Sequence, residues 1–230
     1  MEISTQAPEP GPYAPGDSRT DREEQLELVD DAGQTIGVAG KLAAHQAPGR
    51  LHRAFSVFLF SPGPFSPAPF SPGPFSPGPF SRDPFSPGPD AEGPLMLLQR
   101  RADGKYHSPG VWSNSCCGHP RPQEPPWSAA VRRVREELGL SVALTDAGIV
   151  RYRHPDPDTG LVEHEYNHLF TGWVSQPPQP DPDEVSATVL VSAADLGRLR
   201  GREPFSAWFD TVLEAARPAV RRLTGPRAGW

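Results

Sequence analysis

Two short stretches of this chain hold side chains whose types and spacing suit chemistry. Asn114-Ser115-Cys116-Cys117-Gly118-His119-Pro120 sets a pair of thiols beside an imidazole, and Leu161-Val162-Glu163-His164-Glu165-Tyr166 sets two carboxylates two residues apart. In an extended strand, residues two apart share a face about 7 Å from each other, so Glu163 and Glu165 aim at one site while His164 points away. Imidazole and carboxylate hold divalent metals, and thiol and carboxyl groups move protons. Taken singly, each has an ordinary reading too: charges on a wet strand face, a satisfied histidine, a cysteine acting as a small apolar side chain.

A third stretch follows at fixed distances. After Gly118 come five residues, Glu124, seven more residues, then Arg132-Arg133-Val134-Arg135-Glu136-Glu137-Leu138-Gly139-Leu140. This spacing resembles the Nudix box of enzymes that bind diphosphates through divalent metal, with Arg133 standing where that box carries Glu. The departure, together with the preceding Cys-Gly-His-Pro, resembles the type 1 isopentenyl-diphosphate isomerases, a Nudix-fold family that moves protons and does not hydrolyse. The resemblance spans roughly residues 24–216.

That resemblance implies an α+β fold, a Nudix-like α/β/α sandwich with a mixed sheet. It implies a metal shell of His45, His52, His119, Glu163 and Glu165, a donor set that suits Mn2+, Zn2+ or Mg2+ alike. A Mg2+ ion bridging the substrate's phosphates falls to Glu137, with Glu124 and Glu136 as outlying acids. Cys117 matches the catalytic thiol and Cys116 a neighbour without a role. Glu165, hydrogen-bonded by Tyr152, is the second proton-transfer group, and Trp208 matches an indole facing a carbocation. Lys41, Arg101 and Lys105 match positions around the diphosphate, with Arg133 nearby. Ser108 falls where relatives commonly carry an aromatic. His107, His154, His164 and His168 have no match and read as structural. The implied reaction interconverts isopentenyl and dimethylallyl diphosphate, a homoallylic and an allylic small-molecule substrate.

Two other classes compete with this one. A Nudix diphosphate hydrolase would use the box carboxylates to gather several metals, and a cation at Arg133 opposes that. A non-enzymatic module recruiting partners through proline-rich repeats leaves the thiol and the metal-ligand set unexplained.

The elements that must position these side chains are legible in outline. Residues 126–138 carry Trp127, Ala130, Val131, Val134 and Leu138 at helical spacing, which predicts a helix ended by Gly139, with Glu136 and Glu137 off the apolar stripe or at its edge. Residues 25–29 and 35–39 flank Asp30-Asp31-Ala32-Gly33 and predict a hairpin. Residues 51–60, 95–98, 161–171 and 185–191 read as strands, and 206–216 as a helix capped by Ser206.

Between two of those strands, residues 61–94 repeat a Ser-Pro-Gly-Pro-Phe pentad that reads as an extended or disordered insertion at a hairpin tip. The expected organisation is a tail over 1–23, one domain over 24–217 carrying that insertion, and a tail over 218–230. A net charge of −6 over 230 residues offers no broad basic surface, so a nucleic-acid partner is not expected. Nor is a membrane span or a secretory signal, and with two adjacent cysteines that cannot form an unstrained bridge, a cytoplasmic location is. The oligomeric state is left open.

Overall fold

The computed structural model describes residues 24–65, 93–105, 107–156 and 159–230. The expected tail over 1–23 and most of the repeat tract, 66–92, lie outside the described residues.

Among the described residues, nine strands join in one mixed hydrogen-bonded network: β1 (Gln25–Val29), β2 (Thr35–Gly40), β3 (His52–Ser61), β4 (Leu95–Arg101), β5 (Trp112–Ser113), β6 (Cys116–Gly118), β7 (Leu144–Pro155), β8 (Val162–Trp173) and β9 (Val185–Val191). The helices of the described residues are α1 (Lys41–His45), α2 (Pro126–Leu138), α3 (Ala193–Arg200) and α4 (Phe209–Thr224). The organising strand is β3, which pairs antiparallel with β1, β4 and β6 and parallel with β8. It is buried along nearly its whole length, and its sequence is accordingly apolar from Ala54 to Phe60 apart from Ser56.

The two faces of β3 and β4 feed two separate cores. Phe55, Val57, Leu59, Leu95 and Leu97 pack on one side with Ala129, Ala130, Val134 and Leu138 of α2. Phe58, Phe60, Met96 and Leu98 pack on the other with Phe209, Val212, Ala216 and Val220 of α4 and Leu196 and Leu199 of α3. Period-two alternation in the strands therefore makes the layered sandwich that the resemblance implies.

Local chemistry sets the element ends. Helix α2 starts with Pro126 at its first position, where a missing N–H costs nothing, and stops at Gly139, which adopts the left-handed φ of 65° while its N–H reaches Arg135 O at 3.0 Å. The β1–β2 hairpin forms as expected, and Gly33 at φ 76° leaves space that a Cβ would take from Tyr166, 2.5 Å away.

Several expectations shift. Trp127 is 51% exposed and outside the core stripe: it lies in the first turn of α2, with Nε1 donating to Leu144 O at 3.3 Å. Glu137, by contrast, is buried. Ser206 does not cap a helix, because its hydroxyl pairs with Ser113 Oγ at 2.9 Å, and α4 begins three residues later. The domain end expected at 217 falls inside α4, which continues through Pro218 to Thr224. Beyond it, Trp230 is buried against Phe60 and donates Nε1 to Pro94 O at 3.0 Å.

Candidate active site

Register places the site. Across three neighbouring strands, Tyr152 of β7 faces Glu165 of β8, and Glu165 faces His52 of β3. One row of the sheet thus carries three of the expected residues, and Glu163 lies two residues back along β8 on the same face. Strand β6 pairs with β3 so that Ser56 opposes Cys117 and Val57 opposes Cys116. Alternation then separates the adjacent thiols. Cys116 is fully buried in the α2-side core, and Cys117 opens into a cavity of about 540 Å³. His45 ends α1, and His119 follows β6 directly.

His45, His52, His119, Glu163 and Glu165 are all buried, and one ligand atom from each lies within 4.8 Å of every other. His45 Nδ1 bonds Lys41 O at 2.7 Å and His52 Nδ1 bonds Arg50 O at 2.8 Å. A carbonyl can only accept, so both Nδ1 atoms carry hydrogen and both Nε2 lone pairs turn inward. There His52 Nε2 meets His119 Nε2 at 3.2 Å, His119 Nε2 meets Glu165 Oε1 at 3.2 Å, and His45 Nε2 meets Glu163 Oε2 at 3.2 Å. Lone pairs crowded this closely repel unless a proton or a cation lies between them. Mixed nitrogen and oxygen donors at this spacing fit a divalent ion, and the five residues can hold one.

Burial and charged neighbours compete in setting the local ionisation. Burial raises Glu163, but His45, with His107, more than offsets it and leaves that carboxylate well below its usual range. His52 is pushed well below 6.5 by burial and by the neighbouring His119 and His45 rings. His45 is raised, because Glu163 outweighs its burial. Loss of solvent lifts Cys117 to about 12 even though Arg101 opposes the shift, so the group is a thiol. Tyr152 is raised well above 10 by burial and by Glu165, and stays a phenol that donates to Glu165 Oε2.

The expected cations reach the same cavity. Lys41 pairs with Glu24 at 2.9 Å. Arg101 approaches Cys117 Sγ at 3.8 Å and has Cζ 5.5 Å from the Trp208 ring centre. Lys105 pairs with Glu184, and Arg133 contacts Glu137 at 2.7 Å and Glu184 at 3.0 Å. Trp208 lines the cavity as well. His52 and Tyr152 are buried and are not among its lining residues. Glu124 is bound by Arg132 at 2.7 Å, and Glu136, which also lines the cavity, by Arg132 and Arg133 at 3.0 and 3.3 Å.

Of the histidines read as structural, three are engaged away from the ligand set: His154 with Thr211 at 2.9 Å, His164 with Gly49 O at 3.0 Å and His168 with Arg53 at 3.3 Å. His107 is different. It lines the cavity with Nδ1 2.8 Å from Glu163 Oε1. Three contributors were not read from the sequence. Asn167 donates to Glu165 Oε2 at 2.8 Å and to Tyr152 OH at 3.1 Å, and the period-two step from Glu165 was a usable signal for it. Glu184 joins Lys105 to Arg133, and, like His107, sits in a loop where no period points inward.

The sandwich and its box-bearing helix define the class. A NUDIX domain matches residues 89–211, and the crystal structure of DR0079 from Deinococcus radiodurans shares the fold with a TM-score of 0.57 at 17% identity, covering 84% of this chain and 98% of that one. Sequence comparison goes further. The chain is 58% identical to the isopentenyl-diphosphate Delta-isomerase of Streptomyces griseus, covering 89% of each. It is 39% identical to that of Nocardia farcinica, covering 87% of this chain and 98% of the relative. The chain belongs to the isopentenyl-diphosphate Delta-isomerase family of NUDIX-domain proteins.

Proposed function

We propose that this protein interconverts isopentenyl and dimethylallyl diphosphate by adding a proton to one face of the alkene and removing one from a neighbouring carbon. The observation that carries the reading is that Cys117 and Glu165 open on one cavity with the cations Lys41, Arg101, Lys105 and Arg133. Relatives at 55–58% identity bear the isomerase name.

The residues divide the work. Lys41, Arg101, Lys105 and Arg133 take the diphosphate, exchanging present carboxylate partners such as Glu184 for phosphate oxygens. An alkene is a feeble base, so its protonation needs a placed acid and a dry site. One of Cys117 and Glu165 gives a proton to the terminal carbon, which leaves a tertiary cation. The other takes a proton from the carbon between that centre and the diphosphate-bearing one, and the double bond forms there. Either order balances. Tyr152 and Asn167 hold one oxygen of Glu165, fixing the carboxyl against the substrate. Trp208 offers a π face to the cation, a contact worth about 0.5 to 2 kcal/mol.

His45, His52, His119, Glu163 and Glu165 would hold Mn2+, Zn2+ or Mg2+, which supplies positive charge that favours the ionised carboxylates and orients them. Glu137 would hold a Mg2+ shared with the diphosphate, screening the charge between the phosphates and the buried acids. Arg133 opposes the hydrolase alternative, because its guanidinium stands where the box carries a carboxylate and repels a further divalent ion there. Among the described residues no helix is long and apolar enough to cross a membrane, and both cysteines are free, which supports a cytoplasmic setting. One experiment tests the whole reading: double-bond migration and inorganic phosphate release followed on the same purified sample. Migration without phosphate release is expected, and phosphate release alone sinks the proposal.

A further inference from the structure

We propose that His107 is a positioning residue that locks the Glu163 carboxylate and braces the Trp208 indole, a role that rests on the metal-dependent reading above. Between β4 and β5, Lys105 and His107 line the cavity. Arg101 pins the turn from below, donating Nη2 to His107 O and Nε to Ser108 O, both at 3.0 Å. Ser108 takes the left-handed φ of 48°, uncommon for a residue with a side chain, and the bend turns the preceding ring inward. His107 is 5% exposed as a result.

The ring makes three contacts at once. Nδ1 lies 2.8 Å from Glu163 Oε1, Nε2 lies 3.4 Å from Asp156 Oδ2, and the imidazole stacks on Trp208 with centres 5.9 Å apart and planes 13° from parallel. The terminal torsion of a glutamate is broad and roughly two-fold, so a ligating carboxylate is free to swivel unless something holds it. Glu163 directs Oε2 at His45 Nε2, 3.2 Å away, and His107 fixes the opposite oxygen. A donor outside the ligand shell that orients a ligand commonly accounts for about 10- to 100-fold in metal affinity or activity. Stacking on Trp208 adds a second consequence: one side chain couples the orientation of a metal ligand to that of the indole.

Two substitutions separate these effects. His107→Phe keeps a flat ring against Trp208 and removes the N–H, while His107→Asn keeps a short N–H donor near the Nδ1 position and removes the ring. Mn2+ affinity is measured by competition with a chromogenic chelator, with folding checked by circular dichroism and isomerisation measured alongside. We expect His107→Phe to lose about 10- to 100-fold in Mn2+ affinity together with a fall in kcat, and His107→Asn to bind Mn2+ within about threefold of the unaltered protein. His107→Ala carries the same expectation as His107→Phe and stands in for it if the larger ring prevents folding. Wild-type Mn2+ affinity in the folded variants that lack the donor overturns the inference, as does equal loss in all three substitutions. An unaltered protein that takes up no Mn2+ removes the premise and the inference together. An unaltered protein that binds Mn2+ but moves no double bond sinks the isomerase reading, while the affinity series still decides the role of His107.

Discussion

Removing a single oxygen, by Tyr152→Phe, tests whether the buried hydrogen bonds on Glu165 contribute to turnover. The Tyr152 hydroxyl donates to Glu165 Oε2, and Asn167 Nδ2 donates to the same oxygen at 2.8 Å and to the hydroxyl at 3.1 Å. A hydrogen bond to a charged group contributes about 1.5 to 3 kcal/mol. Asn167 remains on Glu165 in the variant, which favours the low end, about 1.5 kcal/mol, or roughly a tenfold fall in kcat at 1.36 kcal/mol per factor of ten. Asn167 is 1% exposed and loses an acceptor, so stability should fall by about 1 kcal/mol as well. Asn167→Ala alone should cost a similar factor. Because the three groups share one network, the double variant should deviate from additivity by about 0.5 to 3 kcal/mol. Conversion of isopentenyl diphosphate to its acid-labile allylic product gives the rates, and urea melts give the stabilities. Tyr152→Phe with turnover within threefold of the unaltered protein, and additive effects in the double variant, would refute the positioning argument.

Four further outcomes are expected. Cys117→Ser should lose about 10²- to 10⁴-fold in isomerisation, the range for a proton-transfer group, while Cys116→Ala, on the opposite face of β6, stays active in the same rate assay. His52→Ala should lower bound metal by elemental analysis, since three ring nitrogens converge with two carboxylates, and full stoichiometry would remove His52 from the set. His168 is held down to about 4 by burial, with the Arg53 guanidinium adding to it, against 6.5 in the unfolded chain. The unfolded state therefore binds this proton first, so stability is full above pH 6.5, falls as pH drops towards 4 and loses nothing more from this group below that. His168→Gln should flatten urea-melt stability over that interval. Replacing residues 66–92 by a short glycine-containing link should leave turnover within a few-fold, because Ser61 and Leu95 already face each other across β3 and β4; loss of isomerisation in a folded protein would make the tract part of the site.

The shared face of Glu163 and Glu165 was legible from period-two spacing alone, whereas His45, His52, Tyr152 and Trp208, far apart in the chain, were named only through the family resemblance. The Glu163 and Glu165 pair and the box helix each keep their geometry within one strand or one helix, so sequence distance translates directly into position. His107 could not be read that way. Its inward turn is produced by Arg101 holding two carbonyls and by the unusual backbone at Ser108, both tertiary effects. The C-terminal helix was misjudged for a related reason. Pro218 weakens the helical pattern and Ser206 mimics a cap, yet Val212, Ala216, Ala219 and Val220 bury enough surface to carry the helix past the proline, and Ser113 claims the hydroxyl of Ser206. Trp127 shows the converse: an apolar residue in phase with the helix that simply overhangs the core.

The row formed by Tyr152, Glu165 and His52 divides the gene into regions of unequal tolerance to added or lost codons. Additions between β3 and β4 fall beyond the Ser61–Leu95 pair, at the end of β3 remote from His52, and should leave the row untouched. A single codon gained within residues 52–56 or 162–167 is a different event. It would rotate the remainder of that strand by half a turn, trading His52 or Glu165 for a neighbour that faces the other layer. Length variation in descendants of this chain should therefore gather at the strand ends, whereas the spacing from Glu163 to Asn167 behaves as a fixed ruler.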